Sequence, residues 1–135
     1  MNETVRIPII KLRDVLIVSV QVSLSDAVVV QLKDDITNKI ESTQARALII
    51  DVSGIDLMDS YISRAIRDIG LVARLMGVRT VISGLDPMVA MTLVEMGLEL
   101  KGVRTALDLE SALALLQWRL DRIESGEGSA NGPAS

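Results

Sequence analysis

Residues Ala47, Leu48, Ile49 and Ile50 form an unbroken apolar run that ends on the acid Asp51, with Val52 after it. A strand that is apolar on successive residues has both faces buried, which requires helices on both sides of a sheet. This run therefore sits centrally in a sheet. After a loop from Ser53 to Asp59, the positions Ile62, Ala65, Ile66, Ile69, Val72, Ala73 and Met76 repeat at helical spacing, and Gly77 is the stop signal. Strand followed by helix is the unit of an α/β fold.

The rest of the chain follows the same alternation. Ile7 to Leu12 and Val15 to Val22 are apolar runs separated by Arg13-Asp14, the pattern of a hairpin. Val28, Leu32, Ile36 and Ile40 recur every fourth residue through a first helix from Ser25 to Thr43, capped by Ser25 or Asp26. Arg79 to Ser83 reads as a strand. Asp86 caps a third helix that starts at Pro87 and ends near Met96 and Gly97. Val103 to Ala106 is a short last strand, and Asp108 opens a fourth helix with Leu109, Ala112, Leu113, Leu116 and Leu120 on one face. The expectation is one α/β domain over residues 1–124, with a mixed, mostly parallel sheet of four to five strands and about four helices. The tail 125–135 is rich in Gly, Ser and Pro and is expected to be disordered.

Composition removes most function classes. The 135 residues contain no His and no Cys, so His-based triads, thiolate nucleophiles, disulfides and the common zinc sites are excluded. No metal or cofactor is implied. A net charge of −4 lacks the basic excess that phosphate-backbone contacts need, so nucleic acid is a poor partner. The longest uncharged stretches, such as Val15 to Ser25, fall short of the ~18 apolar residues of a membrane span. Without an apolar leader at Met1 to Leu12, the expected location is cytoplasmic. The glycines make no nucleotide-binding loop, and the pair Asp34-Asp35 reads as a solvated helix face.

One segment concentrates polar groups where α/β sheets place their sites, beyond the carboxyl end of a central strand. It holds Asp51, Ser53, Asp56, Met58, Asp59 and Ser60. Ser60 falls in the first turn of the second helix, where unpaired N–H groups and the helix dipole favour an anion, so a phosphate there is compatible with the fold. A Ser or Asp at a helix start is more commonly a cap. Both readings stand on the residues alone. Trp118, the one Trp, lies off the main stripe of the fourth helix and marks either a contact surface or the margin of the core. Met58, Met76, Met88, Met91 and Met96 are expected to fill core gaps, with Met58 and Met88 also placed to line a binding surface.

Several separated segments resemble the STAS domain, the sulphate-transporter and anti-sigma-factor-antagonist family. They are Ile7 to Leu12, Leu16 to Gln21, Ile50 to Gly54 with Asp59-Ser60, Leu75 to Val78, Ser83 to Ala90 and Thr105 to Glu110. Within the family the chain is most similar to the small stressosome scaffold subunits of RsbS type. The resemblance implies a non-enzymatic scaffold that associates with itself and with RsbR-type paralogues and holds an RsbT-type serine kinase. It further implies phosphorylation of Ser60 by that kinase, its release, and resetting by an RsbX-type phosphatase. Ser83 stands where RsbR-type chains carry a second phosphoacceptor, and at a strand end it is equally suited to a structural role. The alternatives are a free anti-sigma-factor antagonist with the same phosphoserine, and a small-ligand or nucleotide-binding STAS module.

Overall fold

The computed structural model describes residues 7–21, 24–55, 60–95 and 103–124, the last stretch from 117 and residues 92–93 as backbone only. The elements in chain order are β1 (Ile9–Leu12), β2 (Val15–Ser19), α1 (Asp26–Thr43), β3 (Ala47–Asp51), α2 (Ser60–Leu75), β4 (Arg79–Ser83), α3 (Pro87–Glu95), β5 (Arg104–Ala106) and α4 (Leu109–Glu124). The five strands form one sheet in sequential order. β1 runs antiparallel to β2, while β2 to β5 are parallel, with Ser19, Asp51 and Ser83 aligned across the carboxyl ends.

The apolar run of β3 is central, as its sequence requires: Ala47, Leu48, Ile49 and Ile50 are all buried. Its alternate residues serve two cores. Leu48 and Ile50 join Leu16, Val18 and Ile82 beneath Leu32 and Ile36 of α1 and Ile66 and Ile69 of α2. Ala47 and Ile49 join Val15, Ile17 and Val81 beneath Ala112 and Leu116 of α4. Val89 of α3 packs against the first core.

The helix ends carry their expected signals. Ser25 Oγ accepts from the Val28 N–H at 3.3 Å, and Asp86 Oδ1 from the Met88 N–H at 2.8 Å. Asp108 Oδ1 accepts from the Ser111 N–H at 2.7 Å. α2 stops at Gly77, whose φ of 84° permits the bonds Gly77 N–H to Arg74 O and Val78 N–H to Ala73 O. α1 ends on Gln44, a non-glycine residue in the same left-handed region.

Several expectations need correction. The β1 ladder starts at Ile9 rather than Ile7, because Pro8 has no N–H to give it. β2 ends at Ser19, although the Val20 N–H still bonds Asp51 O. On α1 the buried row is Val29, Leu32, Ile36 and Ile40, with Val28 only partly covered, since a strict four-residue row drifts off a helix of 3.6 residues per turn. Met76, Met88 and Met91 are exposed rather than core, the first beyond the end of α2 and the others on the outer side of α3. Met58, Met96, the Trp118 side chain and the tail 125–135 lie outside the described residues. No helix among the described residues is long and apolar enough to cross a membrane.

Candidate functional site

The carboxyl ends of β3 and β4 are fastened by one side chain. Asp51 Oδ1 accepts from Ser83 Oγ at 2.9 Å, and its Oδ2 accepts from Ser53 Oγ at 2.8 Å. The backbone reinforces this tie, with the Val52 N–H donating to Ser83 O and the Val20 N–H to Asp51 O. Gly84 follows at φ 78°, and a Cβ there would come within 2.7 Å of Ser53 Cβ and 3.0 Å of Asp51 Oδ1. The two strand ends and the root of the β3–α2 loop therefore form one packed unit. Gly54 rests on Gln21, whose Cγ would stand 2.9 Å from an added Cβ, and the Ile55 N–H closes a turn onto Val52 O.

Ser60 opens α2 and is partly exposed. The first turn of α2 holds no acidic residue, so no carboxylate within the helix offsets its positive end. Its neighbour Tyr61 donates to Asp26 Oδ1 at 2.6 Å, which ties the first turn of α2 to the first turn of α1. Asp56, Met58 and Asp59 lie outside the described residues. Ser83 is in a different setting, fully buried with its hydroxyl on Asp51. The structure thus brings Asp51, Ser53 and Ser83 together at the carboxyl ends of β3 and β4. The Asp51 to Ser83 bond has no signal in the sequence, where the two residues stand 32 positions apart; only the parallel register aligns them.

Among the described residues no group of His, Cys, Asp and Glu is placed to hold a metal ion. Among the described residues, one acid is displaced from its ordinary range. The Ser111 backbone N–H, and then its side chain, hold the Asp108 carboxyl below that range. This is helix capping.

The family model of the STAS domain matches residues 6–112. The chain belongs to the STAS-domain family. Among solved structures, a serine-to-glutamate variant of RsbS from Moorella thermoacetica is similar at 35% identity and a TM-score of 0.74, over 86% of this chain and 97% of that one. A chain from the molecular architecture of the stressosome, described as a signal integration and transduction hub, is similar at 37% identity and a TM-score of 0.75, over 85% and 99%. Among curated proteins, the RsbT co-antagonist protein RsbRD of Bacillus subtilis (strain 168) is 36% identical over 67 residues. That alignment covers 50% of this chain and spans 24% of the relative's length.

Proposed function

We propose that this STAS domain is an RsbS-like scaffold subunit of a cytoplasmic stressosome-type assembly and that it has no catalytic activity of its own. The observation that carries the reading is its similarity to an RsbS and to a stressosome chain over 97% and 99% of their lengths. The absence of His and Cys from the sequence supports it, since the commonest catalytic bases and nucleophiles are missing.

In this reading the chain packs with copies of itself and with RsbR-type paralogues. It holds an RsbT-type serine kinase through the start of α2 and the adjoining loop residues Asp56, Met58 and Asp59. The kinase phosphorylates Ser60, leaves, and acts downstream in a stress response; an RsbX-type phosphatase removes the group. The phosphate adds about −1.5 to −2 charge at a helix N-terminus, where the fold tolerates it. The switch then works by changing the surface that the kinase meets rather than by unfolding α2. Ser60 is the better acceptor of the two serines, because phosphorylating the buried Ser83 requires breaking its bond to Asp51.

The test is reconstitution with an RsbR-type paralogue and an RsbT-type kinase, read by light scattering and by co-sedimentation of the kinase. A large particle that retains kinase with wild type and Ser60→Ala, and retains it about ten-fold more weakly with Ser60→Asp, is the expected result. Equal retention by Ser60→Asp would sink the switch. Kinase binding without any large particle favours the free-antagonist reading.

A further inference from the structure

β1 leaves one edge of the sheet open. It stands last in the strand order, and among the described residues no strand pairs with its outer side. The turn Arg13-Asp14 joins it to β2, and a two-residue turn closes on a hydrogen-bonded pair, here Leu12 and Val15. Alternation makes Ile10 and Ile17 the next such pair and turns the N–H and C=O groups of Ile9 and Lys11 away from β2. These groups are a template for a further strand.

The side chains mark the same edge. Ile10 and Leu12 stand opposite Ile17 and Val15, on the face that α4 covers farther along the sheet. They are 61% and 48% exposed. On the other face a groove of about 410 Å³ runs between Ile7, Pro8 and Ile9 and the flank of α1 that bears Asp35, Asn38 and Lys39.

We infer that this edge joins a second copy of the chain, β1 against β1 in antiparallel sense about a two-fold axis at Ile10, so that two five-stranded sheets become one. The inference rests on the reading that the chain packs with copies of itself, and adds the surface and the register. Centred on Ile10, the pairing sets Ile9 opposite Lys11 of the second copy, and Lys11 opposite its Ile9. Each of these pairs exchanges two backbone hydrogen bonds through the outward groups. Ile10 meets its counterpart in the closer, non-hydrogen-bonded position, and Leu12 comes opposite the second copy's Pro8, so apolar meets apolar. The other symmetric registers are worse. Centring on Lys11 or Leu12 sets Lys11 opposite a second Lys11 or Arg13, and like charges directly opposite repel. Centring on Ile9 draws the buried Ile7 into the ladder. A lysine on an edge strand ordinarily blocks pairing. Here the second copy's Lys11 falls beside Ile9 on the side of the groove, where Asp35 supplies the opposite charge.

Cysteine cross-linking reads the register directly, since the chain has no Cys of its own. Ile10→Cys sets two thiols on the axis with Cα atoms about 4.5 Å apart, within the ~4.4–6.8 Å that a disulfide spans. Lys11→Cys sets them roughly 8 Å apart, two residues along and one strand across. The expected result is a disulfide-linked dimer from Ile10→Cys under copper-phenanthroline oxidation, and about ten-fold less from Lys11→Cys. Sedimentation should show a wild-type dimer with a Kd below about 0.5 mM, as befits a small contact. Lys11→Pro removes an outward N–H that β2 does not use, so it should weaken the dimer about ten-fold or more while keeping the urea midpoint of the dilute protein. Equal cross-linking by the two Cys variants, or a dimer indifferent to Lys11→Pro, overturns the inference and leaves self-association to another surface. A chain still monomeric at about 1 mM overturns it as well. Formation of the large particle with an RsbR-type paralogue is read separately, so the scaffold reading stands or falls on its own result.

Discussion

Replacing Asp51 by Ala removes the acceptor for two hydroxyls at once, and the two losses are unequal. Ser53 is exposed, so its hydroxyl turns to water and its loss costs little. Ser83 is fully buried, 2.9 Å from the carboxylate, and its hydroxyl is left without a partner. A hydrogen bond to a charged acceptor is worth about 1.5–3 kcal/mol, so Asp51→Ala should destabilise by roughly 2–3 kcal/mol. For a chain of 135 residues, an unfolding entropy of about 2.1 cal/mol/K per residue converts this into a fall in Tm of roughly 9 °C. Urea unfolding at constant m measures the loss, and a double-mutant cycle with Ser83→Ala isolates the bond. Ser83→Ala alone should cost less, about 1 kcal/mol, because the carboxylate keeps Ser53 and partial contact with water. The pair should be strongly non-additive, with a coupling of about 1–2 kcal/mol. If Asp51→Ala costs under about 0.5 kcal/mol, or if the two losses simply add, the clamp contributes nothing to stability.

Gly84→Ala should destabilise by about 2–4 kcal/mol, because the left-handed backbone costs about 1–2 kcal/mol and the new Cβ lies within 2.7 Å of Ser53 Cβ; a urea midpoint equal to wild type would contradict the close approach. Gln44→Gly should stabilise by about 0.5–1 kcal/mol, since Gln44 ends α1 at φ 55°, and thermal unfolding checks the sign. Asp108 has its carboxyl held low by Ser111, so its contribution is present above the unfolded-state pKa of about 3.9 and is lost as pH falls through the lower folded value. Urea midpoints between about pH 5 and 2.5 should therefore fall more steeply for wild type than for Asp108→Asn, which keeps a capping side chain; parallel curves would show that the cap is not coupled to the proton.

How much of this is legible in the sequence depends on the range of the interaction. Elements set by local pattern are readable: β4 is expected at Arg79 to Ser83 and is found there, and Gly77, Pro87 and Asp108 mark helix ends where turn and capping chemistry places them. The burial of β3 on both faces is readable because a continuously apolar strand leaves neither of its faces suited to water. The exposure of Met88 and Met91 is not, because methionine satisfies a core and a surface alike and hydropathy does not say which side of a short helix faces the sheet. At the candidate site, the start of α2 at Ser60 follows from its helical period, whereas the Asp51 clamp does not.

A cavity of about 500 Å³ bordered by Arg74, Arg79 and Arg104 shows the same limit more sharply. Arg74 ends a helix, Arg79 starts one strand and Arg104 starts another, so no spacing rule relates them. Each alone reads as an ordinary solvated charge. They border one cavity for two reasons, both belonging to the assembled sheet. The turn at Gly77 folds the end of α2 back onto the start of β4, and the parallel register sets Arg104 beside Val81, two residues beyond Arg79. A one-residue shift in that register would carry the Arg104 side chain to the other face of the sheet. The pairing of β5, three residues long, therefore decides whether Arg104 borders the same cavity as Arg74 and Arg79.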